Sequence, residues 1–76
     1  PPKPDPAGAL LIARGLRIPP VHIIYLGDTG VDMKTAVRAG MFPVGALWGV
    51  RDEKELWEHG ARAVIGSPRE LLGFVD

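Results

Sequence analysis

Cysteine is absent from the sequence, so disulfide bridges and thiolate metal sites are excluded. No apolar run approaches the roughly 20 residues that cross a bilayer, and no segment resembles a secretion signal. An excess of one charge is lacking too, because nine basic and nine acidic side chains cancel. We therefore expect no nucleic-acid partner and no membrane partner, and a cytoplasmic location is the default.

The chain is also short. Its 76 residues form at most one small domain, and such a domain buries only about 60% of the surface that its unfolded chain exposes. Stability on its own is expected to be marginal. The sequence begins Pro1-Pro2 without an initiator methionine, from which we expect that further residues precede it.

Residues 22–33 (HIIYLGDTGVDM) are the stretch around which the chain is organised. The apolar, β-branched run at 23–26 breaks off at Gly27-Asp28-Thr29-Gly30. Apolar or small residues then follow at i, i+3, i+4, i+7 spacing: Met33, Ala36, Val37 and Gly40. This pattern predicts a buried strand, a tight turn and a helix.

The flanking segments continue the alternation of helix and strand. Residues 42–47 and Ala63–Ile65 are predicted strands. Further helices are predicted after Asp5-Pro6 with Gly15 as the C-cap, after Asp52 with Glu55 in a capping box, and after Ser67 with Glu70. This order predicts an α/β fold, with a three-stranded parallel, Rossmann-like half-sheet and helices available for both faces.

Two acidic residues flank the central turn. Asp28 leaves the predicted strand and Asp32 lies in the first helical turn, at an edge where a helix amino terminus offers free N–H groups to an anion. Two carboxylates there suit a hard divalent cation that in turn holds a phosphate. The structural alternative is that Asp28 caps the helix and Asp32 complements its dipole. Trp48-Gly49 ends the second strand on the same side of the sheet.

The residues also carry a resemblance. Lys3-Pro4 with Pro6, followed by a strand that ends in GDTGVDM, resembles the third and fourth motifs of the haloacid dehalogenase superfamily of phosphohydrolases. Several downstream pairs and short runs are similar to the phosphoglycolate phosphatase-like branch: Thr35-Ala36, Ala39-Gly40, GALWG at 45–49, Gly60-Ala61 and Ser67-Pro68. The resemblance covers essentially all of the chain, and it implies that residues 1–76 are the carboxy-terminal part of a larger core domain.

The resemblance implies roles for three residues. Asp28 would ligate Mg²⁺, and Asp32 would assist that metal site or orient the lysine. Lys3 would neutralise the phosphate and the nucleophilic carboxylate, which suits phosphoryl transfer because cations stabilise its equatorial oxygens. Taken alone, Lys3 on its proline-rich arm is typical of a solvated surface lysine.

Two motifs of that family are missing from the sequence. The first motif, an Asp-x-Asp that supplies the nucleophile, does not occur, and the second, a Ser or Thr that ends another strand, has no place because only two residues precede Lys3. The cap region is absent too. The resemblance therefore implies part of a magnesium-dependent phosphatase that cleaves a small phosphomonoester through an aspartyl-phosphate, with the nucleophile outside these residues. We expect the 76 residues alone to be inactive.

Other interpretations stay open at this point. A noncatalytic module could bind metal or phosphate weakly, or pair with another copy through an exposed sheet edge. A phosphomutase on the same scaffold is a further alternative. A carbon-halogen hydrolase is disfavoured, because Asp28 and Asp32 together favour a metal that dehalogenation would not need.

Overall fold

The computed structural model describes residues 5–49 and 52–74. Helices and parallel strands alternate, as the sequence predicts. In chain order the elements are α1 (Ala7–Leu16), a 3-10 helix (Pro20–His22), β1 (Ile24–Gly27), α2 (Gly30–Ala39), β2 (Phe42–Ala46), α3 (Glu53–Glu58), β3 (Ala63–Ile65) and a second 3-10 helix (Pro68–Phe74). The last element is therefore a 3-10 helix rather than the predicted α-helix. Over the described ranges, no helix has the length and apolarity needed to span a bilayer.

The three strands form one parallel sheet in the order β1-β2-β3. Gly27 pairs with Gly45, and Ala46 pairs with Ile65. All three strands consequently end at the same edge of the sheet, where the loops that follow them lie side by side.

Proline in the central strand is tolerated because of where β3 begins. Phe42 donates its N–H to the carbonyl of Ile23 on the β1 side, so the next backbone nitrogen, that of Pro43, points towards β3. Pairing with β3 starts only at Val44, opposite Ala63. The missing N–H of Pro43 therefore costs no ladder hydrogen bond, as its predicted place at the strand entry requires.

Helices α2 and α3 lie on one face of the sheet. Helix α2 contacts β1 and β2, α3 contacts β2 and β3, and the two helices contact each other. Met33 and Leu56 are completely buried between these layers, where they pack with Ala61 and the partly buried Val64. A second cluster, formed by Ala13, Ala39 and Met41, fixes α1 beside α2.

The opposite face carries the Pro68–Phe74 3-10 helix. Gly45 faces Leu56 of α3, so Phe42, three residues earlier in the strand, points the other way. The rings of Phe42 and Phe74 lie 6.0 Å apart. Helices on both faces were expected from the sequence, but the second face has only this short element within the described residues.

The ends of α1 and α2 differ from each other. Helix α2 ends at Gly40 in the left-handed conformation (φ 75°), as predicted. Helix α1 runs through Gly15 and ends at Arg17, also left-handed with φ 58°. The prediction that Gly15 is the C-cap of α1 is wrong, because Arg17, two positions later, adopts the left-handed conformation in its place.

Candidate active site

Asp28 follows β1 directly and lies in a cleft of about 310 Å³ at the carboxyl edge of the sheet. The cleft is lined by Tyr25, Leu26, Gly27, Asp28, Asp32, Ala46 and Trp48. The structure therefore brings Asp28 and Asp32 to one small volume, as the sequence predicted.

Asp32 lies directly behind the turn. Its carboxylate oxygen Oδ2 accepts a hydrogen bond from the backbone N–H of Asp28 at 3.2 Å, and the residue is only 7% exposed. A Cβ atom placed on Gly27 would lie 2.7 Å from the Cγ atom of Asp32. Gly27 thus admits the buried carboxylate, which holds the backbone of Asp28 while the Asp28 side chain remains half-buried in the cleft.

The N-cap of α2 is Thr29 and not Asp28. Thr29 Oγ1 accepts a hydrogen bond from the N–H of Asp32 at 3.1 Å. The capping explanation for Asp28 is therefore wrong. Asp32 does lie in the first turn of the helix, where a negative charge is favourable.

The amino terminus of α2 is partly filled by the chain itself. Glu55 Oε2 accepts a hydrogen bond from the N–H of Gly30 at 2.7 Å, so this N–H does not offer an anion a free donor. The sequence predicted only local capping for Glu55. That prediction is right for its backbone, whose N–H donates to Asp52 Oδ1 at 2.8 Å, but the side chain reaches a residue 25 positions away.

His59 completes this contact between α3 and the turn. Its Nδ1 atom lies 2.7 Å from the carbonyl oxygen of Glu55. A Cβ atom on Gly30 would lie 2.6 Å from the same nitrogen. Because Gly30 has no side chain, α3 packs directly on the backbone beside Asp28. No local sequence pattern points to this contact; only the tertiary structure places α3 there.

The loop after β2 closes the other side of the cleft. A Cβ atom on Gly49 would lie 2.8 Å from Cγ of Asp28, which confirms that Gly49 lies on the same side of the sheet as Asp28. The Trp48 ring, half exposed, forms part of the cleft wall. The backbone of the loop that follows β2 thus lies close to Asp28.

The oxygen donors of the cleft suit Mg²⁺. This ion is usually bound through one or two carboxylates, with water and substrate phosphate completing its shell. Asp28 and Asp32 are the two carboxylates of the cleft. Over residues 5–49 and 52–74 no larger group of three or more His, Asp or Glu side chains is placed to hold a metal. Lys3, the third predicted site residue, lies outside the described residues.

Comparisons with known proteins agree with this geometry. N-acetylmuramic acid 6-phosphate phosphatase of Pseudomonas aeruginosa is 31% identical over 75 residues, which are 97% of this chain and 33% of that protein. Phosphoglycolate phosphatase 1 of the same organism is 30% identical over 74 residues, 97% of this chain and 27% of that protein. No family model matches the chain.

Solved structures give the same result. A hydrolase from Pseudomonas syringae superposes with a TM-score of 0.86 and 36% identity, covering 97% of this chain and 34% of that one. A haloacid dehalogenase-like hydrolase from Bacteroides fragilis superposes with a TM-score of 0.84 and 33% identity, covering 91% and 33%.

The chain belongs to the haloacid dehalogenase-like hydrolases. It spans about a third of the length of the relatives it matches. Within this haloacid dehalogenase-like segment, the sheet and the Asp28 cleft are the parts that the described residues supply.

Proposed function

We propose that the chain is the carboxy-terminal part of the core domain of a magnesium-dependent phosphomonoester hydrolase. The observation that carries the proposal is the convergence of Asp28 and Asp32 on one cleft at the carboxyl edge of the sheet. The phosphatase names of two relatives support the reaction class. A cytoplasmic location stays a prediction.

Each acidic residue has a separate task in this proposal. Asp28, half-buried in the cleft, holds Mg²⁺ through its carboxylate. Asp32 fixes the backbone of Asp28 through the 3.2 Å hydrogen bond and assists the metal site as the second carboxylate of the cleft. When bound, Mg²⁺ supplies positive charge that stabilises the phosphoryl oxygens.

The nucleophile of the proposed reaction lies outside these residues. An aspartate there attacks phosphorus, the ester P–O bond breaks, and the alcohol leaves with a proton from an acid that also lies outside these residues; water then hydrolyses the aspartyl-phosphate to inorganic phosphate and the free aspartate. Lys3 would neutralise the phosphate and the attacking carboxylate. The described residues contribute binding and positioning, and the 76-residue chain alone is expected to be inactive.

Replacement of Asp28 tests the metal role. In the full-length protein, Asp28→Asn should lower kcat roughly 100- to 1,000-fold, the scale of removing one electrostatic group from a transition state. The measurement is phosphate release as a function of Mg²⁺ concentration. Phosphoglycolate and N-acetylmuramic acid 6-phosphate are suitable first substrates, because relatives are named for them.

Asp52→Asn is the matched control. Asp52 is an exposed N-cap of α3, and asparagine caps helices about as well as aspartate. This variant should retain its activity and its dependence on Mg²⁺. Normal kcat and normal Mg²⁺ dependence in Asp28→Asn would refute the metal role of Asp28.

A phosphomutase is the second candidate. A Thermotoga maritima protein described as a β-phosphoglucomutase superposes with a TM-score of 0.82 and 30% identity, covering 99% of this chain and 35% of that one. Incubation of the full-length protein with β-glucose 1-phosphate separates the two reactions. Release of inorganic phosphate supports the hydrolase, whereas formation of glucose 6-phosphate supports the mutase.

A further inference from the structure

The turn that carries Asp28 is held at both ends by carboxylates. At its start, the N–H of Asp28 donates to Asp32. At its end, the N–H of Gly30 donates to Glu55 Oε2 at 2.7 Å. The backbone that carries the Asp28 side chain into the cleft lies between these two hydrogen bonds.

Helix α3 brings the second carboxylate from outside the cleft. Glu55 does not line the cleft. Its side chain reaches Gly30, and His59, the C-cap of α3, lies against the same glycine. The carboxylate lies at the amino terminus of α2, where the helix dipole favours a negative charge. A hydrogen bond from a backbone N–H to a charged group is stronger than a neutral one.

We infer that Glu55 is a positioning residue for Asp28. Its carboxylate fixes the end of the turn 27–30, and through that backbone it sets the direction in which the Asp28 carboxylate points into the cleft. The consequence for metal binding rests on the proposed function, whereas the consequence for the backbone does not.

Amide hydrogen exchange in the full-length protein tests the backbone consequence. Glu55→Ala should speed exchange at Gly30 by about tenfold or more, the scale of a lost charged hydrogen bond, and should also speed exchange at Asp28. Glu55→Gln keeps a neutral acceptor and should give intermediate rates. Unchanged exchange at Asp28 in Glu55→Ala would reduce Glu55 to a local cap and overturn the inference.

Glu53→Ala is the matched control on the same helix. Glu53 Oε2 accepts a hydrogen bond from Trp57 Nε1 at 2.8 Å, a contact confined to the exposed side of α3. This variant should leave exchange at Asp28 and Gly30 unchanged. If Glu55→Ala does not fold, Glu55→Asp replaces it, since the charge is kept but the shorter side chain cannot reach Gly30.

A Mg²⁺ titration separates positioning from a merely structural role. Under conditions where circular dichroism shows every variant to be folded, Glu55→Ala should raise the Kd for Mg²⁺ by about tenfold, and Glu55→Gln should partly restore it. An unchanged Kd would overturn the positioning role. If the unmodified protein binds no Mg²⁺, the proposed function fails, while the exchange rates still decide the role of Glu55.

Discussion

Asp28 has little space to move on the side of Gly49. The nearest atoms to a Cβ at this glycine all belong to the Asp28 side chain. A methyl group there would therefore displace the carboxylate from the cleft, although the protein around it loses no buried contact. Gly49 matters to the site through the space it leaves open.

We predict that Gly49→Ala impairs the site more than the fold. The free energy of unfolding should fall by only about 1–2 kcal/mol: the Asp28 carboxylate can rotate away, but Asp28 Cβ, 2.5 Å from the added methyl group, cannot, so the backbone of the half-buried loop at Gly49 has to shift. Phosphate release at low Mg²⁺ should fall at least about tenfold, the scale of disturbing the surroundings of a metal ligand. Denaturant unfolding and an activity titration with Mg²⁺ measure the two quantities.

Gly15→Ala provides the control for that substitution. An added Cβ at Gly15 meets nothing within 4 Å, and alanine in a helix interior is favoured over glycine by roughly 0.5–1 kcal/mol. This variant should be more stable and fully active. A Gly49→Ala protein with the activity of Gly15→Ala would show that Asp28 tolerates the intrusion.

Single residues of the site differ in how well the sequence predicts them. The positions of Asp28 and Asp32 follow from a strand, a turn and a helix that are adjacent in the chain. Glu55 could not be assigned in that way, since its three-residue spacing from Asp52 also fits a local capping box. Its actual partner depends on how α3 packs against α2, which no short pattern encodes.

At the scale of the elements, the two long helices end with the same left-handed backbone conformation but with different residue types. Both C-caps are left-handed, but α2 uses Gly40 and α1 uses Arg17. The left-handed conformation costs a residue with a side chain about 1–2 kcal/mol. Sequence rules based on glycine therefore predict the end of α2 and misplace the end of α1.

We predict opposite effects for a matched pair of substitutions at these caps. Arg17→Gly should raise the free energy of unfolding by roughly 1 kcal/mol, and Gly40→Ala should lower it by a similar amount. Steric clash does not contribute to the effect of Gly40→Ala, because a Cβ at Gly40 would meet only Pro20, at 3.8 Å. Urea unfolding of both variants gives the two values; the same sign for both would contradict the cap argument.

At the scale of the whole molecule, β1 is an edge strand of the sheet that the described residues form. An apolar groove of about 340 Å³ runs between this strand and α1. Ile12 and Leu16 line the groove and are 63% and 59% exposed. An open edge beside apolar surface is a template for pairing with another chain.

We therefore expect the 76-residue chain, expressed alone, to self-associate through β1. Leu26→Lys places a charge on this edge, where Leu26 is 39% exposed, and should shift sedimentation towards the monomer. Leu72→Lys, at an exposed leucine of the last 3-10 helix, should not. A monomeric profile of the unmodified chain at all concentrations would contradict this prediction.

The order of strands and helices could be predicted from the sequence better than the number of helices that cover each face of the sheet. Alternating helices and apolar strands suffice to predict a parallel three-stranded sheet, because right-handed crossovers leave few topologies. None of the described residues of the last segment is fully buried, whereas the equally short α3 buries Leu56. Little packing therefore stabilises an α-helix there, and a 3-10 helix forms instead. The second face of the sheet consequently has less cover than the pattern of helices predicted.

The hydrogen bond between Gly30 and Glu55 also affects the order in which the molecule can assemble. It closes a loop of 25 residues that contains α2 and β2, and closing such a loop costs entropy before the contact forms. The first strand, turn and helix can associate early through local contacts. The hydrogen bond from Gly30 to Glu55 can form only after α3 has packed against α2. The backbone around Asp28 therefore reaches its final geometry late, when β2 and α3 are already in place.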